Sequence, residues 1–129
     1  MHILVFAAAS SLVLATVPLA QAQPAGKVLQ VKIGTVSPLS GPTAHSGKDI
    51  ENGARMAIDE LNAKGIVLGG SKVQWVLQPE DDGGDPRTGT AVAQKLVDAK
   101  VAAVVGHLNS GTTVPASKIY ASAGIPQIS

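Results

Sequence analysis

The stretch Val101-Ala-Ala-Val-Val-Gly-His-Leu-Asn-Ser-Gly-Thr-Thr-Val-Pro-Ala-Ser117 places the tightest limit on what this chain can become. A short continuous run of Val and Ala is the signature of a strand buried on both faces, as parallel sheets require. The run breaks at Gly106 into small, hydroxyl-bearing residues, and a helical pattern follows. Ser110, Thr112 and Thr113 are placed to cap that helix, whose free N–H groups attract an anion. A strand, a binding loop and a helix start follow one another, and the loop suits a carboxylate better than a phosphate.

The same scheme occurs twice upstream. Val28 to Val36 alternates apolar and polar residues and runs into the turn-rich Ser37-Pro-Leu-Ser-Gly-Pro-Thr43, the mark of a strand and a loop. From Gly47 to Lys64, Ile50, Ala54, Ala57, Ile58 and Leu61 fall on one helical face, Gly65 ends the helix, and Asp49 and Glu51 are expected in its first turn. Val73 to Leu77 is expected as the second strand, Glu80 to Asp85 as its loop, and a helix from Pro86 through Asp98 with Asp85 as N-cap. Val92, Ala93, Leu96 and Val97 give that helix one apolar stripe. The third strand is expected at Ala102 to Val105, the third helix at Thr112 to Ala123 with Gly124 as its stop, and a further strand begins near Ile125.

Such alternation implies an α/β fold with a doubly wound, parallel, Rossmann-like sheet that binds ligands at the carboxyl ends of its strands. Three loops gather there: Ser37 to Gly47, Glu80 to Asp85, and Gly106 to Thr113. With so few aromatic residues the core must be Val, Ile, Leu and Ala, which makes Trp75, the sole tryptophan, a core residue of the second strand.

Met1 to Ala22 contains no Lys, Arg, Asp or Glu, is mostly apolar, and ends in Ala20-Gln-Ala22. This is the pattern of a secretory signal peptide cut after Ala22, which implies export with no stable membrane insertion. Residues 23–27 then form a linker, and 28–129 the ligand-binding lobe. The 107 residues left after cleavage are short for an α/β domain with both sheet faces covered, and Ile125-Pro-Gln-Ile-Ser129 resembles a strand just begun, so a truncated N-terminal part of a longer protein is expected. Absence of cysteine excludes disulfides, thiolate metal sites and a lipid anchor at the cleavage site. A net charge of +1 without a basic stripe makes nucleic acid a poor partner.

Nucleotide and metal cofactors find no support. No G-x-G-x-x-G follows any strand, and between Gly41 and Gly47 lie five residues where a phosphate loop needs four, with Asp49 after Lys48 in place of Ser or Thr. Asp81, Asp82 and Asp85 lack the spacing and distal Glu of a calcium loop. Ser110, His107 and Asp82 supply the residue types of a hydrolytic triad, but no G-x-S-x-G elbow accompanies them. His107 is expected instead to pack at the strand end with a satisfied hydrogen bond. His45 and Ser46, in the first loop, either line a pocket or are simply exposed.

Four motifs resemble one family. Ile33-Gly-Thr-Val-Ser-Pro-Leu-Ser-Gly-Pro42, Gly53-Ala-Arg-Met-Ala-Ile-Asp-Glu-Leu-Asn62, Asp81-Asp82 with Asp85-Pro86, and Gly106-His-Leu-Asn-Ser110 followed by Pro115-Ala-Ser117 are similar to the N-terminal part of periplasmic substrate-binding proteins of the branched-chain amino acid transporter class. The resemblance implies a type I binding-protein lobe and an exported, non-enzymatic protein that captures an amino acid, or a related amide or small carboxylate, for the membrane permease of an ABC importer. It assigns Ser110 to the ligand carboxylate and places Leu108 and Asn109 beside the ligand. Ser46 takes a position where some relatives carry a tyrosine, and Thr112 is a weaker candidate whose hydroxyl can serve as a cap. In relatives with a disulfide between the second and third loops, its cysteines would fall at Gly84 and Asn109. The same fold also serves as the sensory domain of receptors, which a transmembrane segment further along the gene would mark.

Overall fold

The computed structural model describes residues 26–129, so the expected signal peptide and residues 23–25 of the linker lie outside the described residues. The elements run β1 (Val28–Ser37), α1 (Ala44–Lys64), β2 (Val67–Leu68), β3 (Ser71–Asp81), α2 (Pro86–Asp98), β4 (Ala103–Gly106), α3 (Ser110–Ser122) and β5 (Gln127–Ile128). Sheet order is β2-β3-β1-β4-β5. β1 pairs in parallel with β3 and β4, and β4 with β5, while the short β2 lies antiparallel on the β3 edge. The α/β, parallel-dominated architecture is the one the alternating pattern implies, and β2 is an addition the sequence did not announce.

Helices flank both faces because strand residues alternate. A Cβ on Gly34 would sit 2.8 Å from a Leu96 methyl, so the Gly34 and Val36 side of β1 faces α2. There Val36, Val92, Ala93, Leu96, Val101, Val104, Ala116 and Tyr120 form the main core. Ser37, one residue on, donates its hydroxyl to the Gly47 carbonyl at 2.9 Å and so faces α1. On that side Ile58 and Val73 are the buried apolar residues.

The first helix departs from expectation. It begins at Ala44 and not at Gly47, so Asp49 and Glu51 stand in its second turn, and no acidic residue occupies the first. Gly47 is a packing position: a Cβ there would lie 1.8 Å from the Pro38 carbonyl oxygen, so the missing side chain is what lets α1 dock on the first loop. Its inward stripe is Gly47, Glu51 and Ile58, whereas Ala57 is exposed. Glu51 is buried there but ion-paired with Lys48 at 2.8 Å and Arg55 at 2.6 Å, and these partners hold its carboxyl below the usual range.

The second long strand extends well past the expected Val73 to Leu77, through Pro79, Glu80 and Asp81. Pro79 is tolerated because β2 covers only Ser71 and Lys72, which leaves the rest of that edge unpaired. For the same reason Trp75, expected in the core, is only half-buried. Asn62 of α1 substitutes for the absent neighbour: its side chain donates to the Trp75 carbonyl and accepts from the Trp75 N–H, both at 2.9 Å. Asn62→Ala strips both partners from that edge and is expected to cost about 2 kcal/mol. Red-shifted emission of the single tryptophan, together with a lower urea midpoint, checks this.

At α2 the expectation holds closely. Asp85 is the N-cap, its carboxylate accepting the N–H groups of Arg87 and Thr88 at 2.9 and 2.8 Å, with Pro86 at the first helical position. The Thr88 N–H in particular pulls the Asp85 carboxyl below its ordinary value.

Candidate functional site

β1, β3 and β4 end side by side, since Ser37 lies opposite Asp81 and Val36 opposite Gly106. Three loops therefore leave one edge of the sheet together. The middle loop ties the outer two. Asp81 accepts the N–H groups of Leu39 and Gly83 at 2.7 and 2.8 Å, and the Asp82 N–H reaches the Ser37 carbonyl at 3.4 Å. Partial burial raises the Asp81 carboxyl, but hydrogen bonds from Ser40, Gly83 and Leu39 outweigh it, so the net displacement is downward. Toward the third loop, a Cβ on Gly84 would stand 3.2 Å from the Asn109 side-chain nitrogen. Gly106 makes the exit of β4 possible, because its φ of 120° and the 2.1 Å that would separate a Cβ from the Val36 carbonyl oxygen admit only glycine.

Helix α3 starts at Ser110, with Asn109 as an extended N-cap and no side-chain hydrogen bond capping it. The expected hydroxyl caps are engaged otherwise: Thr112 donates to the Asn109 carbonyl at 2.8 Å, and Thr113 to the His107 carbonyl at 3.0 Å. The helix therefore opens two residues earlier than expected, with Ser110 exposed in its first turn beside N–H groups that have no intrahelical acceptor. Leu108 is 39% exposed and lines an apolar hollow of about 200 Å³ with Ile50, Val105 and Ile128. Asn109 is half-buried, and Thr112 is fully buried under its own loop. Leu108, Asn109, Ser110 and Thr112 are thus gathered on one loop and helix start. Ser46 is not a loop residue; it sits in the first turn of α1, half-buried, its N–H on the Thr43 carbonyl at 3.1 Å.

Behind this surface lies a buried polar chain. His107 Nδ1 is 2.8 Å from Asp82 Oδ2, and His107 Nε2 is 3.2 Å from the Tyr120 hydroxyl. The other Asp82 oxygen accepts the Gly84 N–H at 2.9 Å. Asp82, His107 and Tyr120 are almost wholly removed from solvent. Burial lowers the His107 pKa and outweighs the opposing pull of Asp82, so the neutral ring is favoured. The neutral ring donates from Nδ1 to the carboxylate and accepts the Tyr120 O–H at Nε2. Burial, followed by the nearby Asp82 and Glu80 charges, pushes the Tyr120 hydroxyl far up, so it remains a donor.

The residue types of a triad are therefore present, but they are not arranged as one. Asp82 and His107 do pair, yet the ring nitrogen that a serine would need is taken by Tyr120, and Ser110 stands outside on the helix start. His107 is the packed, hydrogen-bonded residue expected at the strand end. Tyr120 was not singled out in the sequence, since it lies 13 residues beyond its partner and carries only the look of a helix-face aromatic. Among the described residues no cluster of three or more His, Cys, Asp or Glu side chains could hold a metal ion, and no helix is long and apolar enough to cross a membrane.

Loops converging at the carboxyl edge of a parallel sheet, with an uncapped helix start facing outward, are the arrangement in which sheets of the α/β class take up ligands. The comparisons with known proteins make this specific. The sequence pattern of the periplasmic binding proteins matches residues 30–129, and the chain belongs to that family. It is 41% identical over 112 residues to the Leu/Ile/Val-binding protein BraC3 of Rhizobium johnstonii, a match covering 87% of this chain and 28% of that protein. Its fold superposes with a TM-score of 0.69 on a branched-chain amino acid transporter substrate-binding protein from Streptococcus pneumoniae, solved in complex with isoleucine; the two are 34% identical over 77% of this chain and 28% of the other. A solute-binding protein of an ABC transporter from Rhodopseudomonas palustris, in complex with 3,4-dihydroxybenzoic acid, matches with a TM-score of 0.62 at 26% identity over 76% of this chain and 26% of that one. The chain thus spans little more than a quarter of the length of these relatives, which are binding proteins.

Proposed function

We propose that residues 28–129 form the N-terminal lobe of an exported, non-catalytic solute-binding protein that captures an amino acid of the branched-chain type, or a related amide or small carboxylate, for the permease of an ABC importer. Residues 1–22 serve as its signal peptide, cleaved after Ala22 for release into the periplasm. The observation that carries this reading is the exposed, uncapped start of α3 at the meeting of three loops. Helix-end N–H groups and the Ser110 hydroxyl make a receptor for a carboxylate. Isoleucine and dihydroxybenzoic acid, the ligands of the two relatives above, share that group and little else. Asn109 and Leu108 flank the carboxylate, and Ser46 shapes the far side of the pocket. Thr112 acts from beneath, its hydroxyl fixing the Asn109 carbonyl.

Calorimetric titration of the full-length gene product with L-leucine, L-isoleucine and L-valine tests the reading. At least one is expected to bind, and Ser110→Ala to weaken it by roughly 10- to 100-fold, the loss of one hydrogen bond to a charged group. No binding of amino acids, amides or small carboxylates, or affinity unchanged in Ser110→Ala, would overturn it.

A further inference from the structure

We propose that the buried chain Asp82–His107–Tyr120 is a positioning device for the anion-binding loop, setting ligand affinity through residues that never touch the ligand; this rests on the binding reading above. The chain joins three separate parts of the fold. Asp82 belongs to the second loop, His107 to the third, and Tyr120 to the far half of α3, close to three turns beyond Ser110. Both ends are anchored: the second Asp82 oxygen holds Gly84, and the Tyr120 carbonyl holds the Ile125 N–H at 2.9 Å.

The geometry suits positioning more than simple stabilisation. Helix α3 packs on the core through Thr112, Ala116 and Tyr120, and a roll about its axis would move Ser110 off any ligand seated on the sheet edge. Tyr120 prevents the roll because its hydroxyl has one acceptor, at a fixed height, on the neighbouring loop. The His107 carbonyl accepts the Thr113 hydroxyl, and the Asn109 carbonyl accepts Thr112, so a displacement of the ring carries the helix start with it. From α2, Gly89 stands against the ring, where a Cβ would be 3.6 Å from His107 Cε1. A neutral ring, which burial favours, has one donor and one acceptor, and both are used.

The test uses the full-length gene product with L-leucine as probe. Tyr120→Phe keeps the ring and removes only the hydroxyl. It is expected to weaken L-leucine binding about 5- to 10-fold, the loss of one buried hydrogen bond. In the ligand-free protein, exchange of the Thr112 and Thr113 amides should speed up about tenfold while the Val104 amide, bonded to the Pro126 carbonyl in the core, keeps its rate. His107→Asn, whose amide nitrogen can replace Nδ1 in donating to Asp82, should recover much of the affinity lost in His107→Ala. Unchanged L-leucine affinity and unchanged Thr112 and Thr113 exchange in Tyr120→Phe, with only the melting temperature lowered, would overturn the proposal. If the wild-type protein binds no L-leucine, the functional reading fails for that ligand, and the exchange rates still decide whether the chain positions the loop.

Discussion

Gly47→Ala is expected to unfold a large share of the lobe. The added carbon would lie 1.8 Å from the Pro38 carbonyl oxygen and 2.6 Å from its carbon, both backbone atoms that no rotamer change can move. Helix α1 would have to withdraw from the first loop, and with it would go the hydrogen bond from Ser37 to the Gly47 carbonyl. Overpacking of this kind costs about 3 kcal/mol or more when backbone must shift. That is a large part of the roughly 5–15 kcal/mol that holds a domain together. Gly53→Ala, in the same helix with nothing within 4 Å of the added carbon, is the matched control and should gain about 0.5–1 kcal/mol. Urea unfolding followed by circular dichroism separates the two. Equal midpoints for Gly47→Ala and the wild type would mean that α1 does not rest on Pro38.

The contrast between these two glycines shows where the sequence is legible. Apolar spacing located the first two helices, alternation and apolar runs located β1, β3 and β4, and repetition of the strand–loop–helix scheme with Gly124 as a stop located the third helix. The N-cap at Asp85 and Pro86 was equally plain, since a side chain there bonds to backbone two or three residues away. Gly47 was read as the junction of the first loop and its helix, and its packing role was hidden because it depends on a carbonyl nine positions upstream. The full length of β3 was hidden for a related reason: Pro79, Glu80 and Asp81 look like turn residues, and only a mostly open strand edge makes them strand. At the site, the helix start carrying Ser110 could be located to within two residues, and the resemblance singled out Leu108, Asn109 and Ser110. The pairing of Asp82 with His107 was visible as residue types but not as geometry, and Tyr120 completes it from a helix face no local rule could single out. Long-range polar contacts leave no period in the sequence.

That same buried chain gives the second large effect, a loss of stability on mild acidification that Asp82→Ala deepens. Burial holds the His107 pKa below its ordinary 6.5 in the folded protein, while in the unfolded chain the ring titrates near that value. Between the two the unfolded state binds more protons, so stability rises with pH. The contribution of His107 is thus complete above about pH 6.5 and is lost as pH falls toward the folded value. The carboxyls held low by their partners, Glu51, Asp81 and Asp85, begin to take part only near their ordinary values of 4.5, 3.8 and 3.8. The interval from pH 6.5 to 5 is therefore where His107 is read. Asp82→Ala leaves the His107 Nδ1–H and the Gly84 N–H without acceptors, at about 2–5 kcal/mol for the two together at neutral pH. It also removes the one group that raises the His107 pKa, so the ring moves further from its unfolded value and the loss between pH 6.5 and 5 grows. His107→Asn keeps a donor to Asp82 but cannot titrate, and its stability should stay flat over that interval. Urea midpoints of wild type, Asp82→Ala and His107→Asn at pH 7 and pH 5 test the order: a wild type as flat as His107→Asn would mean that the ring is not held neutral in the fold.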